Sequence, residues 1–490
     1  MKQLVISSFV SLMALQATAQ KEIKFTEYDL DNGIHVILHE EHATPIVAVS
    51  VLYHVGSKNE NPDRTGFAHF FEHLLFEGTT NIERGEYDKL VESNGGTLNA
   101  NTSQDRTYYY EILPSNQTEL GIWLESERML HAKVDNVGIE TQRSVVKEEK
   151  RQRVDNQPYA SFITETFMRM FTDHPYNWVP IGSMEHLDAA QEADYVNFYR
   201  TFYVPANATV SIAGDIDIEK TKKWIAKYFG SIPKGQAINM YRDWELLSDD
   251  AFEGKYGVKK SSFDGNDFLK PKDKAAATKL KELENKAIVI PRPGKATEQL
   301  TTVIKDTVYD NIQLPALFMA YRFPEESNPD MYALQMMNDV LSGGASSRIN
   351  KSLVEKQQIA QFAFSFAYGL EDAGMGIFAA IAAKDKPLDS IQMAFDAEID
   401  KIKTELISDE EFQKIRNQYE NQFISSNASV AGIAENLAQN HVYNGSTNKI
   451  NTELENYMKV TREDIQRVAQ KYLTQDKRII LLYLPKEEQK

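Results

Sequence analysis

The chain has no cysteine in its 490 residues. That excludes disulfides, thiolate metal ligands and a cysteine nucleophile. Stability must come from a packed core, which a chain of this length can build over about two to four domains. Past the first twenty residues no apolar run reaches the ~20 residues that span a bilayer, so no membrane span is expected. Positive charge is also scarce. Fifty-four Lys and Arg face 71 Asp and Glu, a formal net charge of −17. Such a surface repels nucleic acid; it suits solubility and can steer positively charged peptides.

The first residues read as a leader rather than as fold. Lys2 is a short basic start, residues 4–15 are largely apolar, and Ala17-Thr18-Ala19 is a small-residue cleavage site. Residues 1–19 are therefore expected to be a signal peptide, and the mature protein to be exported, periplasmic or secreted. No cysteine follows the apolar stretch, so no lipid attachment at a processed N-terminal cysteine is expected.

What the chain does have is His69-Phe70-Phe71-Glu72-His73. On a helix, positions i, i+3 and i+4 share one face, which gathers His69, Glu72 and His73. Phe67, Phe70, Phe71, Leu74 and Leu75 form an apolar stripe on the other side, and Gly66 and Gly78 bracket the segment. Two imidazoles at i and i+4 suit zinc, and the carboxylate between them can take a proton from bound water. The order H-x-x-E-H inverts the zincin motif. A third ligand is needed, and Glu148 and Glu149 are the candidates.

With its surroundings the motif resembles the family of pitrilysin, insulinase and mitochondrial processing peptidase. Further blocks carry the likeness: Asn32-Gly33-Ile34, Thr44-Pro45-Ile46-Val47, Gly95-Gly96-Thr97-Leu98-Asn99-Ala100, Asp105-Arg106-Thr107-Tyr108-Tyr109-Tyr110, His174-Pro175-Tyr176 with Gly182, and Tyr203-Val204-Pro205-Ala206-Asn207-Ala208. The family places its third ligand, a glutamate, well downstream in a V-V-x-E-E helix. Glu149 occupies that place, 76 positions after His73. Glu148 would point about 100° away. The resemblance implies one zinc per chain held by His69, His73 and Glu149, with Glu72 as general base. It also implies a strand at Asn99 and Ala100 that pairs with the substrate backbone.

Strands are expected at residues 34–38, 46–54 and 209–213, and helices at residues 86–94, 117–132 and 137–153. The expected class is α+β: two homologous halves, each with helices packed on one side of a mainly antiparallel sheet, together forming half of a clam-like peptidase chamber. Residues 20–240 read as the zinc-binding catalytic half and 241–298 as a polar linker or surface excursion with a short exposed helix near its end. Residues 299–490 read as a degenerate half without metal. In the register of the repeat, His69, Glu72 and His73 become Gln335, Asn338 and Asp339.

Two positions depart from the family pattern. Gln142 stands where active members commonly carry a glutamate, seven residues before the metal-binding one. Val354 and Gln361 stand where many members carry an arginine and a tyrosine that bind substrate and steady the tetrahedral intermediate; Arg348 and Tyr368 are near but off the spacing. The expectation is therefore a zinc endopeptidase acting on peptides or unfolded segments and needing a homologous partner subunit, as a heterodimer, with a homodimer as the other arrangement. The competing reading is a non-catalytic, chamber-forming assembly or peptide-binding protein of the same fold.

Overall fold

The computed structural model describes residues 22–264 and 269–486; the leader read in residues 1–19 lies outside them. The alternating and continuous apolar runs of the first half form six strands: β1 (Thr26–Asp29), β2 (His35–Glu40), β3 (Ile46–Tyr53), β4 (Thr97–Thr102), β5 (Thr107–Pro114) and β6 (Ala208–Gly214). They lie in the order β1-β2-β6-β3-β5-β4. Only the β2–β6 pair is parallel. β7 (Phe263–Asp264) and β8 (Lys270–Pro271) make a two-residue ladder.

The second sheet contains β9 (Ile304–Asp310), β10 (Ala316–Phe323), β11 (Ala360–Gly369), β12 (Gly374–Ala382) and β13 (Ile479–Pro485), in the order β11-β12-β10-β13-β9. Here too a single pair, β9 with β13, is parallel. Strand for strand, β2 to β6 correspond to β9 to β13, in chain order and in sheet order alike. The internal repeat read from worn sequence similarity is thus a repeat of topology.

Helices were expected on one face of each sheet; the structure covers both faces, and the second cover comes from the other half. The helix Val430–Asn444 lays Val430, Ile433, Ala434 and Leu437 on Ile37, Ala48 and Ala213 of the first sheet. Reciprocally, the helix Phe162–Met170 brings Phe167 and Met170 onto Phe318, Ala320, Ile377 and Leu481 of the second. The cause is visible in the strands. Every residue of β6 and β10 is buried, which requires an apolar layer on each side. A strand pattern tells that both faces are covered but not which segment covers them.

Of the two readings of residues 241–298, linker or surface excursion, the described residues take the form of the second. The helices Ala237–Leu246, Asp249–Tyr256 and Lys274–Glu284 fold back, and Met240, Phe252, Phe263, Leu269, Ala276 and Leu283 join the first core. Few apolar residues suffice there because each is placed on the inward side. Between the halves lies a buried polar cluster. Lys58, 3% exposed, meets Asp105 at 2.9 Å, Glu371 at 2.6 Å and Asp372 at 2.8 Å.

Candidate metal centre

The motif forms the helix Phe67–Leu74. Its apolar stripe packs as expected: Phe67, Phe70, Phe71, Leu74 and Leu75 are buried, with Phe67 stacked on Tyr195 at 4.6 Å and Phe71 on Phe198 at 5.5 Å. The helix starts at Gly66, whose φ of 95° belongs to the left-handed region that favours glycine. A Cβ on Gly182 would come within 2.5 Å of Gly66 Cα, so these two glycines let the loop after His174 press against the helix start.

A buried carboxylate caps that start. Glu60 accepts N–H bonds from Gly66 at 2.9 Å and Ala68 at 2.8 Å, and from Trp178 Nε1 at 3.1 Å. Burial pushes its carboxyl up to about 8, while these donors pull the other way. At the opposite end of the turn, Tyr109 donates its hydroxyl to Phe71 O at 2.7 Å. The motif turn is therefore clamped from both sides.

Glu149 lies near the end of the helix Asn136–Lys150, which Asp135 caps by accepting from Gly138 N at 2.8 Å. Its Oε2 stands 3.1 Å from His73 Nε2 and 3.4 Å from His69 Nε2. One ligand atom from each of the three lies within 4.8 Å of the others. The two imidazoles are nearly perpendicular, at 83°. His69 and then His73 hold the Glu149 carboxyl well below the usual carboxylate range, against the opposing effect of burial. Its second oxygen binds Arg153 Nη1 at 2.9 Å, and the segment Arg151–Asp155 continues as a π-helical turn, a distortion frequent beside functional sites. Glu148 points away and pairs with Arg151 and Gln152. Glu72 is half-buried beside the histidines and makes no hydrogen bond or ion pair among the described residues. Three donors of the right chemistry thus converge, and the residues present fit a zinc ion.

The remaining expectations divide. Gln142 does not reach the three ligand residues; its Nε2 donates to Glu77, which also pairs with Arg84, so it fastens the Glu149 helix to the loop after the motif helix. Asn99 and Ala100 sit on β4, the edge of the sheet, beside the motif helix. They pair with Tyr110 and Tyr109 on the inner side, and Asn99 Oδ1 accepts the Ala100 N–H at 2.8 Å. Tyr108 and Tyr109 are buried packing residues. In the second half, Gln335 accepts from Tyr457, Asn338 donates to Ser365 O at 3.1 Å and Asp339 accepts from Tyr419 at 2.7 Å. Arg348 is committed to Glu411, at 2.8 and 2.9 Å.

The supporting roles of Glu60 and Glu77, and the bond from Tyr109 to the motif helix, were not read from the sequence. Glu60 lies outside the helix it caps, at a separation no capping motif uses. Glu77, four residues after His73, was the more legible.

Two family models match. "Insulinase (Peptidase family M16)" covers residues 35–176, and "Peptidase M16 inactive domain" covers residues 191–419. Zinc protease PqqE of Helicobacter pylori is 29% identical over 481 residues, 96% of each chain. The uncharacterized zinc protease YmxG of Bacillus subtilis is 21% identical over 457 residues, 93% of this chain and 97% of that one. Among solved structures, a protease from Helicobacter pylori superposes with a TM-score of 0.79 at 26% identity, over 94% of this chain and 100% of the other. The periplasmic protease PqqL from Escherichia coli shares the fold, with a TM-score of 0.67 at 18% identity; the match spans 94% of this chain but 47% of that one. With the repeat, the three-donor cluster and both family models in agreement, the chain belongs to the insulinase (M16) peptidase family.

Proposed function

We propose that this chain is a zinc endopeptidase hydrolysing peptides or unfolded segments, and that it works with a homologous second subunit. One observation carries the reading: His69, His73 and Glu149 converge while Glu72, on the same helical turn, stays unengaged. A zinc ion would be held by the two Nε2 atoms and the Glu149 carboxylate; when bound it supplies Lewis acidity and lowers the pKa of water to about 7. Glu72 accepts the proton of the attacking water and passes it to the departing amine. The open edge of β4 at Asn99 and Ala100 orients the substrate main chain as an added strand.

The partner is supported by what the second half lacks. Val354 and Gln361 cannot supply the arginine and tyrosine of the family pattern, and losing one oxyanion donor costs about 10²–10³ in rate. A sister subunit supplying both would restore the chamber, and the match to about half of PqqL is consistent with a chain that is half of such an assembly. The leader-like N-terminus supports export to the periplasm or beyond.

The test is zinc content together with cleavage of a quenched peptide library by the chain alone, by the chain with its sister subunit, and by Glu72→Gln in each setting. Zinc-dependent cleavage lost in Glu72→Gln and dependent on the sister is the expected result. Full activity from a monodisperse preparation of this chain alone refutes the partner. Zinc without cleavage in every setting favours the non-catalytic, peptide-binding reading that the degenerate second half keeps open.

A further inference from the structure

Away from the peptidase site, Glu27, His35 and His441 bring one ligand atom each within 4.8 Å of the others. Glu27 and His35 belong to the β1–β2 hairpin, whose register sets Asp29 opposite His35. His441 lies in the last turn of the helix Val430–Asn444, the one that the second half lays on the first sheet. The cluster therefore joins segments more than 400 residues apart, at the seam between the halves.

The surroundings prepare these groups. His35 Nδ1 lies 2.7 Å from Asp29 Oδ1, which places the ring proton on Nδ1 and frees the Nε2 lone pair, 3.4 Å from Glu27 Oε2. A carboxylate that fixes the tautomer of a histidine in this way is the usual support of a metal-binding imidazole. Thr447 donates its hydroxyl to Glu27 Oε2 and stands 3.5 Å from His441 Nδ1. His441 is half-buried, with its ring face to face with that of His35. Close by, Asn451 exchanges two hydrogen bonds with the Ile23 backbone, at 2.9 and 3.0 Å, so the second half already grips the start of the described chain.

We propose that Glu27, His35 and His441 form a second site for zinc or a similar transition-metal ion, which staples the first hairpin to the second half. Two imidazoles and a carboxylate are a zinc donor set. The rings are stacked at 3.5 Å and 5°, and an ion placed about 2.1 Å from both nitrogens would lie out of both ring planes. Binding therefore splays the stack. Asp29 is committed to His35, and among the described residues no further carboxylate stands here as Glu72 does beside His69 and His73. The site is a clamp rather than a second hydrolytic centre, and it does not depend on the peptidase reading.

The experiment uses the full chain with the peptidase site disabled by His69→Ala and His73→Ala, and in parallel by Glu149→Gln in case the double variant folds poorly. Equilibrium dialysis against zinc with elemental analysis is expected to find one remaining ion per chain, with a melting temperature that rises on zinc addition. Adding His441→Ala or Glu27→Gln is expected to abolish both, and Asp29→Asn to weaken binding about 10–100-fold. In the otherwise unaltered chain, His441→Ala is expected to halve the zinc content while leaving peptidase kcat/KM in place. The proposal is overturned if the disabled chain binds no zinc, or binds it equally well after His441→Ala and Glu27→Gln.

Discussion

Tyr419 donates its hydroxyl to Asp339 at 2.7 Å, and this contact stands in the second half where His73 meets Glu149 in the first. The elements correspond: Asp339 lies on the helix Asp330–Ser342 after β10, as His73 follows β3, and Tyr419 lies on the second helix after β12, as Glu149 does after β5. Where His73 approaches the Glu149 carboxylate in one half, a tyrosine hydroxyl bonds an aspartate in the other. Burial pushes the Asp339 carboxyl up and the tyrosine hydroxyl draws it back. Tyr419→Phe keeps the ring stacked 4.2 Å from Tyr457 but takes the donor from a half-buried acceptor. It is expected to cost about 1–3 kcal/mol in chemical denaturation. Zinc content should not change.

The metal centre predicts two different losses from two glutamates. Glu72→Gln should keep zinc and lose about 10²–10⁴ in kcat, since only proton transfer is removed. Glu149→Ala should lose zinc itself, because the histidines share that one carboxylate oxygen. Elemental analysis beside a peptide assay separates them. Equal zinc loss in both variants would make Glu72 a ligand rather than a base.

Much of this site was legible because its chemistry is local. One helical turn fixes His69, Glu72 and His73 together, and the amphipathic stripe behind them fixes which side faces out. The choice of Glu149 over Glu148 needed the family pattern, and the structure explains it by sending Glu148 to Arg151. Periodicity also marked the buried strands. It did not reveal that the helices Phe162–Met170 and Val430–Asn444 exchange places, because an apolar face carries no address for the sheet it will cover. The same limit hid the packing of the helices Asp249–Tyr256 and Lys274–Glu284 onto the first core.

Glu60 offers a test of how far the metal helix depends on its cap. Its two oxygens satisfy the Gly66 and Ala68 amides. Glu60→Ala leaves those buried donors unpaired and is expected to cost about 2 kcal/mol. Glu60→Gln, which still offers one acceptor, should cost less. Because His69 lies in the first turn, both variants should also bind zinc more weakly, in the same order, by competition with a chromophoric chelator. Unchanged affinity with lowered stability would restrict Glu60 to folding.

The Lys58 cluster gives a pH dependence of defined sign. Burial raises the Glu371 carboxyl, but His54 at 2.7 Å and Lys58 at 2.6 Å outweigh it and bring it down to about 2. A carboxyl depressed by folding stabilises the protein above its unfolded value of about 4.3, and that contribution disappears as pH falls through the folded value. Lys58→Met removes the buried cation and leaves the Asp105, Glu371 and Asp372 carboxylates facing one another. Breaking such a buried pairing costs about 3–5 kcal/mol at neutral pH. The gap between parent and variant should then narrow as pH drops from about 4.5 towards 2, where the parent gives up the same interaction. Urea denaturation at stepped pH measures it, and a gap that stayed constant would show that the lysine acts through packing alone.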